Sequence, residues 1–336
     1  MPILLQVYSF FSRAVCRGKA ALVRARLISR RKAPLPVISV GSLTMGGSEK
    51  TPLVLELLAY LESLGFKPAL VTRGYKGKWE KEGGVLSDGK RLFGGWEEAG
   101  DEAYLAARRF PKAGVFIGKH RFPSCLRARE MAFEIVVLDD GFQHLKLGRS
   151  LDIVLHDLGA RGALREGLSA LNRADLLLLK KGGSEPDRHK IDKKRPPFRM
   201  FEYAVVSQGL RSLETGASVP VERLKGKAVL AFCGIARPER FFALLEECGI
   251  PAQNRMAFPD HFPFPQRALD DIAAACRSLK PDALVTTEKD AVKILGRSGL
   301  FAPLPVYVLA IGLDLPPAFF DEVRKSLPQA KQSGET

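Results

Sequence analysis

The sequence predicts an α/β fold: a P-loop NTPase-like parallel sheet with helices on both faces, plus a second, smaller α/β unit. Two observations predict it. Val37-Ile38-Ser39-Val40 is a short β-branched run that ends in a glycine-rich turn, followed by Lys50-Thr51-Pro52 and a leucine-rich helical pattern. Short apolar runs also alternate with helical patterns along the chain, as they do when parallel strands are covered on both faces. In such sheets ligands bind beyond the carboxyl ends of the strands.

The first element therefore carries the first chemistry. In a strand–loop–helix of this kind, successive backbone N–H groups converge on phosphate oxygens and a lysine reaches the β- and γ-phosphates. A hydroxyl ligates Mg²⁺, and the helix N-terminus adds favourable partial charge. Gly46, Gly47 and Ser48 would form the cradle, with Lys50 on the phosphates and Thr51 on the metal, which points to Mg·ATP or Mg·GTP. The common pattern G-x-x-x-x-G-K-[ST] has glycine where this chain carries Thr44 and Glu49. A carboxylate at Glu49 is expected to repel phosphate or to compete for Lys50. An ordinary glycine-rich β–α turn is the plain alternative.

The later elements follow in order. Pro52 suits the first turn of a helix, and Leu53, Val54, Leu57, Leu58 and Leu61 form a helical stripe that Gly65 ends. Ala69-Leu70-Val71-Thr72 reads as a strand running into Arg73-Gly74-Tyr75. Residues 76–95 read as a glycine-rich, charged loop or hairpin insertion, and residues 97–109 as a helix. Glu134–Leu138, Leu151–Leu155 and Leu176–Leu179 read as buried strands, and the P-loop, Arg73 and Asp139-Asp140 all follow strands at the ligand-binding end. A polar, basic, proline-bearing stretch over 180–197 marks a boundary, its charge read as solvation. Residues 200–223, with Glu214-Thr215-Gly216, read as a connecting hairpin. Strands at Ala228–Phe232, Ala283–Thr287 and Val306–Ala310 make the second unit. The expected division is a basic, apolar N-terminal arm (1–36), a P-loop domain (37–197), a linker hairpin (198–224) and a C-terminal α/β domain (225–330).

Composition bounds the function. A chain of 336 residues with 46% hydrophobic content has room for two domains with sizeable cores. Five cysteines without a C-x-x-C pair argue against zinc, an iron–sulfur cluster or a disulfide framework, and fit a reducing cytoplasm. More than half of the net charge of +15 sits in residues 1–36, which hold eight Arg/Lys and no acid. The apolar run from Ile3 to Phe11 is far shorter than the ~20 residues of a membrane span. Charges follow it rather than precede it, unlike a secretory signal. Such an arm suits the interface of an anionic bilayer, each basic residue near the surface contributing about 1 kcal/mol. A helix packed on the domain with solvated charges is the alternative. No nucleic-acid recognition motif accompanies the charge.

Four further constellations carry chemistry. Asp139-Asp140 follows an apolar strand, where P-loop enzymes keep an acid that holds Mg²⁺ opposite the P-loop hydroxyl; a strand-ending Asp-Gly turn is the other reading. Asp101, in Trp96-Glu97-Glu98-Ala99-Gly100-Asp101-Glu102, reads first as a helix N-cap and second as a general base for an attacking hydroxyl. His261 is framed by prolines and aromatics in Phe258-Pro259-Asp260-His261-Phe262-Pro263-Phe264, a rigid setting for a functional imidazole. Arg165, in Gly162-Ala163-Leu164-Arg165-Glu166, can stabilise transferring phosphate.

Together these residues resemble the tetraacyldisaccharide 4′-kinase family, the lipid A 4′-kinases of Gram-negative bacteria. The likeness lies in VGSLTMGGSEKTP, TRGYKG, EEAGDE, LDDGFQH, GALRE, FPDHFPF and TTEKDAVK, in family order from about residue 37 to 293. It implies ATP- and Mg²⁺-dependent phosphorylation of the 4′-hydroxyl of a lipid A disaccharide 1-phosphate at the cytoplasmic face of the inner membrane. It also implies two α/β/α domains joined by a β-hairpin linker, with the active site in the cleft between them. The N-terminal arm would meet an acylated, anionic substrate at the bilayer. By position the resemblance implies Lys50 on the β/γ-phosphates, Thr51 on Mg²⁺, and Asp139 and Asp140 organising the metal. Asp101 becomes the catalytic base with His261 as its dyad partner, and Arg165 a phosphate clamp. Glu102 and Gln143 match active-site positions, and Arg73 and Arg121 are expected at the substrate's phosphate or sugar. Glu49 and the proline-less Leu164-Arg165-Glu166-Gly167 depart from the family pattern. Two other functions fit parts of the sequence: a different P-loop small-molecule kinase or GTPase, against which the missing N-K-x-D motif counts, and a non-catalytic membrane-docked relative with a nucleotide site weakened by Glu49.

Overall fold

The computed structural model describes residues 29–44, 49–157, 164–182 and 198–328, together with Gly18, His189 and Ile191. Most of the N-terminal arm, the cradle residues Gly46, Gly47 and Ser48, and Gly162-Ala163 lie outside the described residues. Two compact units divide the chain, one made of residues 1–204 and 313–336 and the other of Val205–Gly312.

The first unit begins with β1 (Val37–Ser42), buried throughout, and α1 (Lys50–Ser63). The leucine stripe of α1 is fully buried, and the helix ends where Gly65 turns left-handed (φ 82°). Next come β2 (Pro68–Thr72) and β3 (Gly84–Asp88). The expected helix over 97–109 is two helices, α2 (Trp96–Ala99) and α3 (Asp101–Arg109). Gly100 separates them at φ 86°, ψ 154°, a conformation reserved for glycine. Then follow β4 (Gly114–Ile117), α4 (Arg121–Glu130), β5 (Ile135–Leu138), β6 (Leu151–His156), β7 (Leu176–Lys180) and β8 (Arg199–Ser212).

The strand order in this unit is β8-β7-β6-β1-β5-β2-β4-β3, parallel except for β3 at the edge, which runs antiparallel to β4. The insertion at 76–95 thus supplies the edge strand. Winding reverses direction at β1: its successor in sequence lies two strands away on one side, and β6 flanks it on the other. Such a switch point leaves a crevice at the carboxyl ends of the strands. Period-two alternation splits the apolar side chains between the faces, so that Val37, Val136 and Leu138 pack with Cys125 and Ala128 of α4.

The second unit holds β9 (Ser218–Val219), β10 (Val229–Cys233), α5 (Pro238–Glu247), β11 (Asn254–Ala257), α6 (Gln266–Leu279), β12 (Ala283–Thr287), α7 (Glu288–Ile294) and most of β13 (Val306–Asp314). Strands β11, β10, β12 and β13 are parallel neighbours in that order. Val229, Ala231 and Cys233 pack on α5 through Phe241, Phe242 and Leu245. Leu230 and Phe232 pack on α6 and α7 through Leu269, Ile272, Ala291 and Ile294. This is a three-layer α/β/α sandwich. Leu210 of β8 pairs antiparallel with Val219, closing a hairpin over Glu214–Gly216. After β13, α8 (Pro317–Lys325) packs in the first unit: Phe319 sits edge-on to Phe201 (5.9 Å), and Tyr60 donates to the Phe320 carbonyl (3.2 Å).

β1 and the turn after β5 approach each other closely at Gly41. A Cβ at Gly41 would lie 2.4 Å from the Phe142 Cβ. Gly41→Ala is therefore expected to lower the unfolding free energy by about 1–3 kcal/mol, measured by urea denaturation. An unchanged midpoint would show that the two segments can part at no cost.

Candidate active site

The site is built on the carboxyl ends of β1, β2 and β5. Asp139 continues β5, its N–H donating to the Val71 carbonyl (3.0 Å), and its buried carboxylate accepts a hydrogen bond from the Thr72 hydroxyl (2.9 Å). Burial pushes the Asp139 carboxyl up to about 6, and the charges of Glu102 and Asp140 add to the rise, against Lys50 and the Thr72 hydroxyl. Asp140 turns left-handed (φ 49°). Its turn is fixed by the Gly141 N–H donating to Val40 (2.9 Å) and by Arg149 donating to the carbonyls of Gly141 (3.3 Å) and His144 (3.0 Å).

The Asp140 carboxylate lies between two cations, the Lys50 ammonium at 3.4 Å and the Arg165 guanidinium at 2.5 Å. Burial opposes its charge, but Lys50 and Arg165 outweigh burial and hold the carboxyl well below the usual range. Backbone pairing delivers Arg165 to this place: Thr44 bridges Leu164, and the Arg165 N–H donates to Leu43 (2.7 Å). Next to it, buried Glu166 accepts two bonds from Arg173 (2.8 and 2.9 Å), whose guanidinium lies 4.6 Å from the Phe142 ring centroid. Gln143 ties the turn to β1 by donating to the Ser42 carbonyl (3.1 Å).

Thr51, in the first turn of α1, donates to Glu102 (3.0 Å). Gly100, not Asp101, occupies the N-cap position of α3. This corrects the capping expectation, because the left-handed, extended backbone at 100 excludes a residue with a side chain. Asp101 is the first helical residue, buried, and its carboxylate accepts from the Glu102 N–H (2.9 Å). Thr51, Thr72, Glu102 and Asp139 line one small cavity otherwise walled by Val54, Leu55, Leu70, Ala103 and Ala106. Hydroxyl and carboxylate oxygens, and a carboxyl raised by burial and by its neighbours' charge, fit a small hard divalent cation such as Mg²⁺. Among the described residues no three of His, Cys, Asp and Glu meet closely enough to hold a metal unaided. Phosphate and water oxygens would complete such a shell.

Two expectations change. Glu49 neither faces phosphate unpaired nor takes Lys50 from it: its oxygens engage Lys180 (3.0 Å) and the Tyr203 hydroxyl (3.3 Å), while Lys50 pairs with Asp140. Two neighbouring strand ends simply offer that carboxylate better partners. Arg121, expected at the substrate, is buried under the site. It donates to the backbone carbonyls of Gly118 (2.5 Å) and Asp139 (3.5 Å). Arg73 is half-exposed and paired with Glu80 (2.7 Å).

His261 belongs to the second unit. It is left-handed (φ 57°), and its N–H donates to the Gly234 carbonyl (3.0 Å). The Gly234 N–H in turn donates to Asp290 (2.8 Å), a fully buried carboxylate that also accepts from the Thr287 hydroxyl (2.7 Å) and pairs with buried Lys293 (3.0 Å). The TTEKDAVK run thus anchors the loop that carries His261. The roles of Thr72, Lys180, Tyr203 and Asp290 escaped the sequence reading. Thr72 and Lys180 end strands and Asp290 lies in the TTEKDAVK run, which are usable signals; Tyr203 offered none without strand order.

A lysine–threonine helix start, twin acids on the neighbouring strand and a switch-point crevice define a P-loop phosphotransferase. The chain belongs to the tetraacyldisaccharide-1-P 4′-kinase family, whose profile matches residues 1–328. It is 36% identical over 309 residues to the tetraacyldisaccharide 4′-kinase of Pelobacter propionicus, covering 87% of this chain and 83% of that one. To the enzyme of the same name from Geobacter metallireducens it is 38% identical over 303 residues, 86% of each chain. It is also similar in structure to LpxK from Aquifex aeolicus, crystallised as an "apo" form in complex with ATP: the TM-score is 0.73, the identity 29%, and 96% of each chain is covered.

Asp139 makes a pH prediction for the nucleotide-free protein. Its carboxyl titrates near 3.8 when unfolded and near 6 when folded, so the folded state binds that proton more tightly. The associated stability is full below the lower value and is lost as pH rises through the upper one. Asp139→Asn should flatten the fall in unfolding free energy across that window. An identical slope in the variant would sink the assignment of the shift to this residue.

Proposed function

We propose that the residues assembled around Asp140 carry out the reaction of the family. In that reaction the γ-phosphoryl group of ATP passes to the 4′-hydroxyl of a tetraacyldisaccharide 1-phosphate, in lipid A biosynthesis. The observation that carries this reading is the convergence of Lys50 and Arg165 on Asp140 beside the Thr51–Glu102 hydrogen bond. Lys50 meets the β- and γ-phosphates, and Gly46, Gly47 and Ser48 cradle them. Thr51, Asp139 and Asp140 hold Mg²⁺, which when bound neutralises charge on the transferring group. Arg165, released from Asp140 by the incoming phosphates, clamps the γ-phosphoryl.

The 4′-oxygen attacks the γ-phosphorus as the bond to the β–γ bridging oxygen breaks, and ADP leaves with that electron pair. Asp101 accepts the hydroxyl proton, and His261 raises its effectiveness as a base. Arg73 meets the substrate's phosphate or sugar, which displaces Glu80. Glu102 and Gln143 orient the acceptor side, and Arg121 supports the Asp139 turn from beneath. The basic N-terminal arm holds the enzyme at the anionic cytoplasmic face of the inner membrane, close to its acylated substrate. Among the described residues no helix is long and apolar enough to cross a membrane.

With γ-labelled ATP, Mg²⁺ and disaccharide 1-phosphate in detergent micelles, label should move to lipid. Asp101→Asn and His261→Ala should each lower kcat, by about 10²–10⁴-fold for the base, with the KM for ATP nearly unchanged. Full turnover in both variants would remove the proton-transfer assignment, and absence of labelled lipid with the intact protein would remove the whole reading.

A further inference from the structure

Glu49 stands where the phosphate-loop pattern G-x-x-x-x-G-K-[ST] has its second glycine. Its backbone keeps the conformation glycine adopts freely, φ 51° and ψ 25°, which is strained for a residue with a side chain. The carboxylate is nearly buried, with 9% of the side chain exposed. One oxygen accepts from the Lys180 ammonium (3.0 Å) and the other from the Tyr203 hydroxyl (3.3 Å). Lys180 and Tyr203 are register partners on β7 and β8, so two adjacent strands grip one carboxylate between them. Tyr203 is fully buried. The next residue in the chain, Lys50, pairs with Asp140 instead.

We propose that Lys180 is a positioning residue of the nucleotide site: by holding Glu49 against β7 and β8 it keeps a negative charge out of the phosphate cradle and leaves Lys50 to the phosphates. This rests on the reading of Lys50 as a phosphate ligand. A nearly buried carboxylate that loses the Lys180 ammonium gives up favourable charge pairing, and the ammonium one residue away can replace that partner at the expense of ATP. Removing the carboxylate as well abolishes that conflict and restores the glycine of the common pattern. Lys180 and Glu49 are therefore coupled through the ligand, and neither is needed for binding once the other is gone.

The test is calorimetric titration of the full-length protein with Mg·ATP, alongside the KM for ATP and kcat on lipid. Lys180→Met should weaken ATP binding by about tenfold and raise KM more than it lowers kcat. Glu49→Gly alone, and the double variant Lys180→Met/Glu49→Gly, should both bind within about threefold of the unaltered protein. A merely structural role for Lys180 would leave the double variant as weak as the single one. That result, or wild-type affinity in Lys180→Met, overturns the proposal. Lys50→Ala is the control: if it binds ATP normally, the phosphate-site reading fails and takes the proposal with it. Should Lys180→Met not fold, Lys180→Gln and Tyr203→Phe, each with and without Glu49→Gly, ask the same question.

Discussion

The Asp140 carboxylate, shared between Lys50 and Arg165, is the interaction that holds the three segments of the proposed nucleotide site together. Each partner comes from a different segment: the start of α1, the turn after β5, and the strand-like stretch that pairs with Leu43. The two cations facing this partly exposed carboxylate favour its ionised form over the opposing effect of desolvation. In return it fixes where those cations stand before any phosphate arrives, which is pre-organisation of the kind that electrostatic catalysis requires. The opposite imbalance stands one residue away, since Asp139 is buried beside the carboxylates of Glu102 and Asp140, which outweigh Lys50 and the Thr72 hydroxyl. Two adjacent acids are thus driven apart, one firmly ionised and the other poised to gain from a cation.

This arrangement is held by side chains that clasp the backbone around it. Arg149 caps the carbonyls of the Asp140 turn, Gln143 ties it to β1, and Glu166 with Arg173 braces it through the Phe142 ring. The same economy appears in the second unit. There a buried Asp290–Lys293 pair holds the Gly234 amide, and Gly234 holds the loop of His261. Buried ion pairs are poor sources of net stability. Both of these are better understood as devices that specify where a loop must stand.

Much of this was legible in the residues. The strands at Val37, Ala69, Glu134, Leu151 and Leu176 announce themselves by β-branched or leucine-rich runs bounded by turns, and the carboxyl ends of the first and third pick out Lys50, Thr51, Asp139 and Asp140 as candidates because ligands bind at strand ends in this architecture. What sequence could not supply was strand order. Glu49 looked hostile to phosphate because Lys180, more than a hundred residues on, gives no sign of lying beside it. Arg121 looked like a ligand for substrate because the family resemblance places it there by position, and nothing in the residues around it shows that its guanidinium turns under the site to the Gly118 and Asp139 carbonyls. Asp101 looked like a cap because the preference for Asp there ignores the φ that Gly100 alone can adopt. Each misreading concerns the partner of a side chain, and partners are set by topology.

The closeness of Gly41 to Phe142 has a bearing on how such a chain can diverge. The two chemistry-bearing segments touch backbone to side chain with no room for a single added carbon, so their separation in space is frozen. The peptide that connects them is not: it can lengthen, shorten or sprout an edge hairpin such as the one bearing β3 without altering the distance that matters. Variation between relatives should therefore gather in the connecting chain, while Gly41 stays, because what it faces is the Cβ and backbone of residue 142, which a change of side chain there would leave in place.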